Sequence, residues 1–170
     1  MTPVEAFECL KEWALTYIRH RDMAARNRGG EAAAAHRLCR CWITEIKGSD
    51  SGFVVVNNDG TTADCIVKPS LKPFNLAAAA AKQKSPLIVF TLSNEENILA
   101  VYNSWLSLSS NSGLIVVFGN PFSATEDKWV LKPFLHNKVC DRNSLLQGLK
   151  AMSELVEPVS EETLAAKSKR

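Results

Sequence analysis

Several things are scarce in this sequence, and each scarcity excludes a class of protein. Apolar runs such as LIVVF at Leu114 to Phe118 fall far short of the roughly 20 residues that a membrane span needs. A basic leader is missing: MTPVEAFECLKEWAL mixes acids with apolar residues, so no secretory signal is expected. Five cysteines make an odd, unevenly spaced set, a poor disulfide framework and a better fit to free thiols in a reducing cytosol. The net charge of +2 is too small to imply a nucleic-acid partner by itself.

Catalytic signatures are also lacking. FTLSNEEN and VFGNPF occupy strand-to-helix or strand-to-turn positions without the glycine loop that lets backbone amides approach a phosphate. No serine sits in a nucleophile elbow, and none of the three histidines has a recognisable catalytic neighbourhood. No cofactor is implied.

What is present is ordinary globular material. With 170 residues, 46% hydrophobic and 22% charged, the chain can bury most of its unfolded surface in one domain. Thr2, Pro3 and Glu5 open a helix as N-cap, first-turn proline and capping-box acid. Phe7, Leu10, Ala14, Tyr17 and Ile18 then recur at helical spacing until Gly29 and Gly30 make continuation costly.

Residues 38–47 read as a strand or a second helix, because Leu38, Trp42 and Ile46 are spaced four apart. GFVVV, NNDG and TTADCIV form a hairpin with strands at 52–57 and 61–67, Asp59-Gly60 suiting a turn with positive φ. FNLAAAAAKQK is helical by alanine propensity. PLIVFTL is a buried strand, Ser93 and Glu96 form a capping box, and NEENILAVYNSWLSL follows as a helix. LIVVF is a second buried strand, parallel to the first, KWVL a short one, and DRNSLLQGLKAMSELVE a closing helix. The expected fold is α+β: one domain over 1–158, with a mixed central sheet of five or six strands between N-terminal, middle and C-terminal helices. Residues 159–170 are expected as a charged, frayed tail.

Leu-Lys-Pro-Phe occurs twice, at Leu71 to Phe74 and at Leu131 to Phe134. Each copy ends a glycine, strand, turn, acid and strand sequence. That symmetry reads as a matched strand exit or as a pseudo-duplication. It predicts Phe74 and Phe134 buried under the next helix, with Lys72 and Lys132 in water.

Four residue sets are candidates for function. His36, Cys39 and Cys41, with His136 and Cys140, are weak metal candidates, because Cys-x-Cys is not the spacing of a zinc knuckle. Asp59, Asp64 and Lys68 are candidates for the metal site of a restriction-endonuclease-like core, which runs helix, three strands, helix, strand and needs an aspartate on one strand and an acid-x-lysine on the next, although Asp59 sits in a turn. The acid-x-lysine motif is not met, since Lys68 lies four residues after Asp64. Arg19, Arg21, Arg26, Arg28, Arg37 and Arg40 form a basic segment that could hold phosphates; complementing the helix C-terminus is its simpler role. Trp42, Trp129 and Phe122 could face a partner.

The reading carried forward is a non-catalytic cytoplasmic protein-interaction module, adaptor-like or chaperone-like, with a homodimer through the first or last helix as one assembly. The alternative is a metal-dependent nuclease or nucleic-acid-binding protein on Arg19 to Arg40 and the Asp59, Asp64, Lys68 set.

Overall fold

A computed structural model describes residues 3–28, 42–83 and 85–167. The first helix, α1, spans Pro3–Arg28. Three strands follow, β1 (Ile43–Ser49), β2 (Gly52–Asn57) and β3 (Thr62–Val67). The chain continues through α2 (Leu76–Lys82), β4 (Leu87–Leu92), α3 (Glu95–Asn103) and α4 (Trp105–Ser109). It closes with β5 (Leu114–Gly119), β6 (Lys128–Leu131), α5 (Pro133–His136), α6 (Leu145–Ser153) and α7 (Glu161–Lys167).

The six strands form one mixed sheet in sequential order, β1 to β6. β1, β2 and β3 are antiparallel neighbours, β3, β4 and β5 are parallel, and β6 returns antiparallel on β5. This is the expected α+β architecture, at the upper end of the predicted strand count.

Alternation along the strands sends side chains to two cores. Phe53, Val55, Ala63, Cys65, Val67 and Phe90 meet Leu10, Ala14 and Ile18 of α1 and Leu164 of α7. On the other face Val89, Val116, Phe118 and Leu131 meet α2, α3, α4 and α6 through Leu76, Val101, Trp105 and Leu149. Phe53, Phe90 and Phe118 are fully buried, and such side chains stabilise by about 1.5–3 kcal/mol each. β4 and β5 are buried along their whole length because both of their faces are covered, and only Thr91 among them is polar.

Both crossover connections lie on the face of α2, α3 and α4, and strand order never reverses. The sheet therefore has no switch point of the kind that opens a ligand crevice in doubly wound folds. Instead, residues after α6 cross the carboxyl ends of β4 and β5. Glu157 accepts from Asn120 Nδ2 at 2.8 Å, Val159 O from Asn94 Nδ2 at 3.1 Å, and Val159 N donates to Ser93 O at 2.8 Å.

That strap corrects the expected tail. Val159 and Leu164 are buried, because α7 packs back onto α1 and completes its core. The helix before α7 is shorter than the sequence suggested, covering only Leu145–Ser153. The middle helix is two helices that meet at Ser104. Its cap is Asn94, whose side chain accepts from Asn97 N at 2.9 Å. Ser93 lies just past the end of β4, its N–H bound to Gly119 O, one residue too early to cap α3. Of residues 38–47, read as a strand or a helix, 43–47 belong to strand β1, and 38–41 lie outside the described residues. So do Thr2, Gly29 and Gly30.

The two Leu-Lys-Pro-Phe segments share an anchor, but it is the leucine. Leu71 and Leu131 are 1% and 0% exposed, whereas Phe74 and Phe134 are half-buried. Each phenylalanine ring carries a lysine, Lys68 Nζ at 5.4 Å and Lys138 Nζ at 4.4 Å. Lys72 is exposed and pairs with Glu96 at 3.1 Å, while Lys132 is half-buried. The registers differ: Leu71 lies four residues beyond β3, Leu131 is the last residue of β6, and Pro133 is the first of α5.

Candidate functional site

The acidic set does not converge. Asp59 lies in the β2–β3 turn, accepting from Thr61 N at 3.0 Å and Thr61 Oγ1 at 2.6 Å, an Asx turn in function. Asp64 sits on β3, with its neighbours Ala63 and Cys65 facing α1, so its own side chain projects from the opposite face. There it accepts from Ser85 Oγ at 2.8 Å. Lys68 is four extended residues on, roughly 13 Å by strand rise, with its ammonium over Phe74. Glu5 and Glu8 belong to α1 and are separated from Asp64 by the sheet. Among the described residues no three His, Cys, Asp or Glu side chains could hold a metal ion together. His36, Cys39 and Cys41 lie outside those residues. His136 Nδ1 is 2.9 Å from Lys132 O, a local contact, and Cys140 is exposed.

The arginines separate into different roles. Arg26 bonds Asp22 at 2.7 Å through Nε, donates to Ile43 O and lies over Trp42. Asp22 also accepts from Ile43 N at 3.1 Å, so this pair fastens α1 to the sheet edge. Arg21 lies over the Tyr17 ring at 5.8 Å, and Arg19 is exposed. The side chain of Arg28, together with Arg37 and Arg40, is outside the described set. Trp42 is half-buried beneath Arg26. Trp129 is 5% exposed and stacks on Phe118 at 4.8 Å, because it occupies the inward register of β6. It belongs to the core and offers no surface to a partner. Phe122 is 36% exposed.

A charged cluster locks α1 to β6. Trp13 Nε1 donates to Asp127 Oδ2 at 3.1 Å, and Lys128 Nζ donates to Glu126 at 2.6 Å and Asp127 at 2.9 Å. Lys128 also lies over Tyr17, which stacks on Trp13 at 5.5 Å. Burial pushes the Asp127 carboxyl upward, but the Lys128 and Trp13 hydrogen bonds outweigh it and hold the group below its ordinary value. Burial likewise pulls Lys128 down, and its two carboxylate partners more than reverse that. Tyr17 is pushed up by burial. Gly119 leaves room for Trp13: a Cβ there would stand 2.6 Å from the indole.

Two further surface features of the described residues bear on function. Leu106 on α4 and Leu135 and Val139 on and just after α5 are 64%, 52% and 84% exposed. Their elements pack on each other, and Trp105 Nε1 donates to Asn137 Oδ1 at 2.9 Å between them. The second feature is a cleft of about 420 Å³ at the carboxyl end of β4, between the start of α3, the end of α6 and the strap. Ser93, Lys150 and Glu154 line it, with Ile98, Val156 and Pro158 as its apolar part. Lys150 Nζ meets Glu95 at 2.7 Å, and that hydrogen bond lowers the Glu95 pKa.

Asn97, fully buried, ties the first turn of α3 to the strand ends beneath it. Its Oδ1 accepts from Leu71 N at 2.8 Å, and its Nδ2 donates to Pro69 O at 2.8 Å and Leu92 O at 2.9 Å. Sequence reasoning missed Asn97 and Ser93. The available signal was Asn94-x-x-Asn97, a capping asparagine followed by a polar residue in the first turn of an otherwise apolar-faced helix. No helix among the described residues is long and apolar enough to cross a membrane. No protein family, curated protein or solved structure matches the chain.

Proposed function

We propose that this chain is a non-catalytic, cytosolic protein-interaction module, adaptor-like or chaperone-like, whose contact surface is the apolar patch of α4 and α5. The observation that carries the reading is the exposure of Leu106, Leu135 and Val139 on adjoining elements. Large apolar side chains exposed on adjoining elements are the kind of surface that marks an interaction site. The partner presents a complementary apolar surface. Scattered placement of Asp59, Asp64 and Lys68 weighs against the nuclease alternative, and the structural duties of Arg26 reduce the basic segment's capacity for phosphate.

The test is affinity capture from the native cell with the wild-type chain beside a Leu135→Asp, Val139→Asp double variant, each checked for an unchanged thermal melt. The reading expects a protein retained by the wild type and lost by the variant. Light scattering on the purified chain separates a second copy of itself from another partner. Equal recovery by both chains, or recovery of nucleic acid alone, contradicts the reading.

A further inference from the structure

The apolar patch of α4 and α5 is accompanied by charge of one sign. Residues 97–125, which include α4 and Leu106, carry no charged side chain. Residues 132–142, which include α5, Leu135 and Val139, carry Lys132, Lys138 and Arg142 against a single acid, Asp141. Lys138 and Arg142 are exposed, and Lys132 is half-buried. Lys138 precedes Val139 in the chain, and its ammonium stands 4.4 Å from the centre of the Phe134 ring.

None of these three cations pairs with a carboxylate among the described residues, unlike Lys47, Lys72, Lys128 and Lys150, each of which meets an acid within 3.3 Å. Asp141 is engaged in its own loop, accepting from Asn143 N at 3.2 Å. The apolar side chains of α5 therefore stand beside positive charge that nothing in the described chain compensates. Charge at the rim of a contact selects the partner and speeds its approach more than it adds affinity.

We infer that the occupant of this patch is an acidic amphipathic segment of another protein, an inference that rests on the interaction reading and names its partner's chemistry. An apolar stripe covers Leu106, Leu135 and Val139, and glutamates or aspartates along its borders face Lys132, Lys138 and Arg142. A second copy of the chain is a poor occupant, since a two-fold contact sets the basic rim against itself. An acidic lipid surface shares the charge but not the fit. α4 and α5 have five and four residues, too short to lie as an interfacial helix, and three cations fall below the roughly four to eight of a lipid-binding cluster. Nucleic acid offers the charge without the apolar stripe.

The experiment titrates the full chain into two labelled synthetic amphipathic helices, read by fluorescence anisotropy, and into vesicles of phosphatidylcholine and phosphatidylserine, read by co-sedimentation. The two helices share one leucine stripe, bordered by glutamate in one and by lysine in the other. The glutamate helix is expected to bind at least about tenfold more tightly than the lysine helix at low salt, and the gap should close as sodium chloride is raised. Lys138→Glu with Arg142→Glu should invert that preference, and Leu135→Asp with Val139→Asp should abolish binding of both helices, each pair leaving the thermal melt in place. The inference is overturned if neither helix binds, if both bind alike, if the charge-reversed variant keeps the wild-type preference, or if the vesicles retain the chain and the glutamate helix does not. Any of these leaves the interaction reading standing as long as capture from the cell still depends on Leu135 and Val139; loss of that dependence removes the reading and this inference with it.

Discussion

Replacing Asn97 by alanine tests how the strand exits are held together. The side chain is 0% exposed and joins the loop after β3, the end of β4 and the first turn of α3 through three hydrogen bonds of 2.8–2.9 Å. Pro69 O keeps partners in the variant, since Thr91 Oγ1 at 3.3 Å and Leu92 N at 3.4 Å also reach it. Leu71 N–H loses its side-chain acceptor inside the core, at a cost of about 1–3 kcal/mol for an orphaned donor. The other two bonds contribute about 0.5–1.5 kcal/mol each. The expected loss is therefore about 2–6 kcal/mol, a large share of the roughly 5–15 kcal/mol that holds a domain folded. Asn97→Asp keeps the acceptor for Leu71 but points a carboxylate oxygen at two carbonyls, so it should be at least as damaging. Urea unfolding followed by far-UV circular dichroism measures both. A loss below about 1 kcal/mol for alanine, or an aspartate variant as stable as wild type, refutes this description of the strand exits.

Three further outcomes follow from local geometry. Gly52 has φ +154°, and a Cβ there would stand 2.1 Å from Cys65 O. Gly52→Ala should cost at least ~2 kcal/mol, whereas Gly60→Ala, at φ +80° with open space around it, should cost only about 1 kcal/mol; equal urea midpoints for the two variants refute the contrast. Gly119→Ala should displace the Trp13 ring that lies over it and shift the tryptophan emission spectrum, and an unchanged spectrum contradicts the packing. Asp127 has its pKa lowered in the folded state, so its contribution is present above about pH 4 and is lost as pH falls through the folded value. Asp127→Asn should flatten the acid limb of the urea midpoint against pH, and an unaltered limb shows that the Trp13 and Lys128 contacts do not stabilise the fold.

Where one period of hydrophobicity dominated, the fold was legible in the sequence. The apolar stripe of α1, the Asp59-Gly60 hairpin and the continuous runs of β4 and β5 needed no tertiary information. Trp129 was misplaced because the four-residue strand β6 cannot by itself reveal which of its faces is inward. The tail was misread for a related reason: Val159 and Leu164 are isolated among charges, and only the groove beside α1 gives them a place to be buried. Leu-Lys-Pro-Phe was read as a matched strand exit or a pseudo-duplication, but its two copies stand in different registers, one four residues beyond β3 and one at the last residue of β6. Its anchor was misassigned because leucine and phenylalanine compete for the same interior, and backbone position decides between them. Of the candidate site, the sequence offered Asn94 as a cap one residue from where it was sought. Ser93, Glu154 and the strap come together only through the fold, being about sixty residues apart in the chain.

Hydrogen exchange on the purified chain, alone and with the captured partner, tests the interaction reading most directly. Protection confined to α4, α5 and the residues through Val139 is the predicted result. Protection centred on Arg19 to Arg26, or none anywhere on the chain, contradicts it.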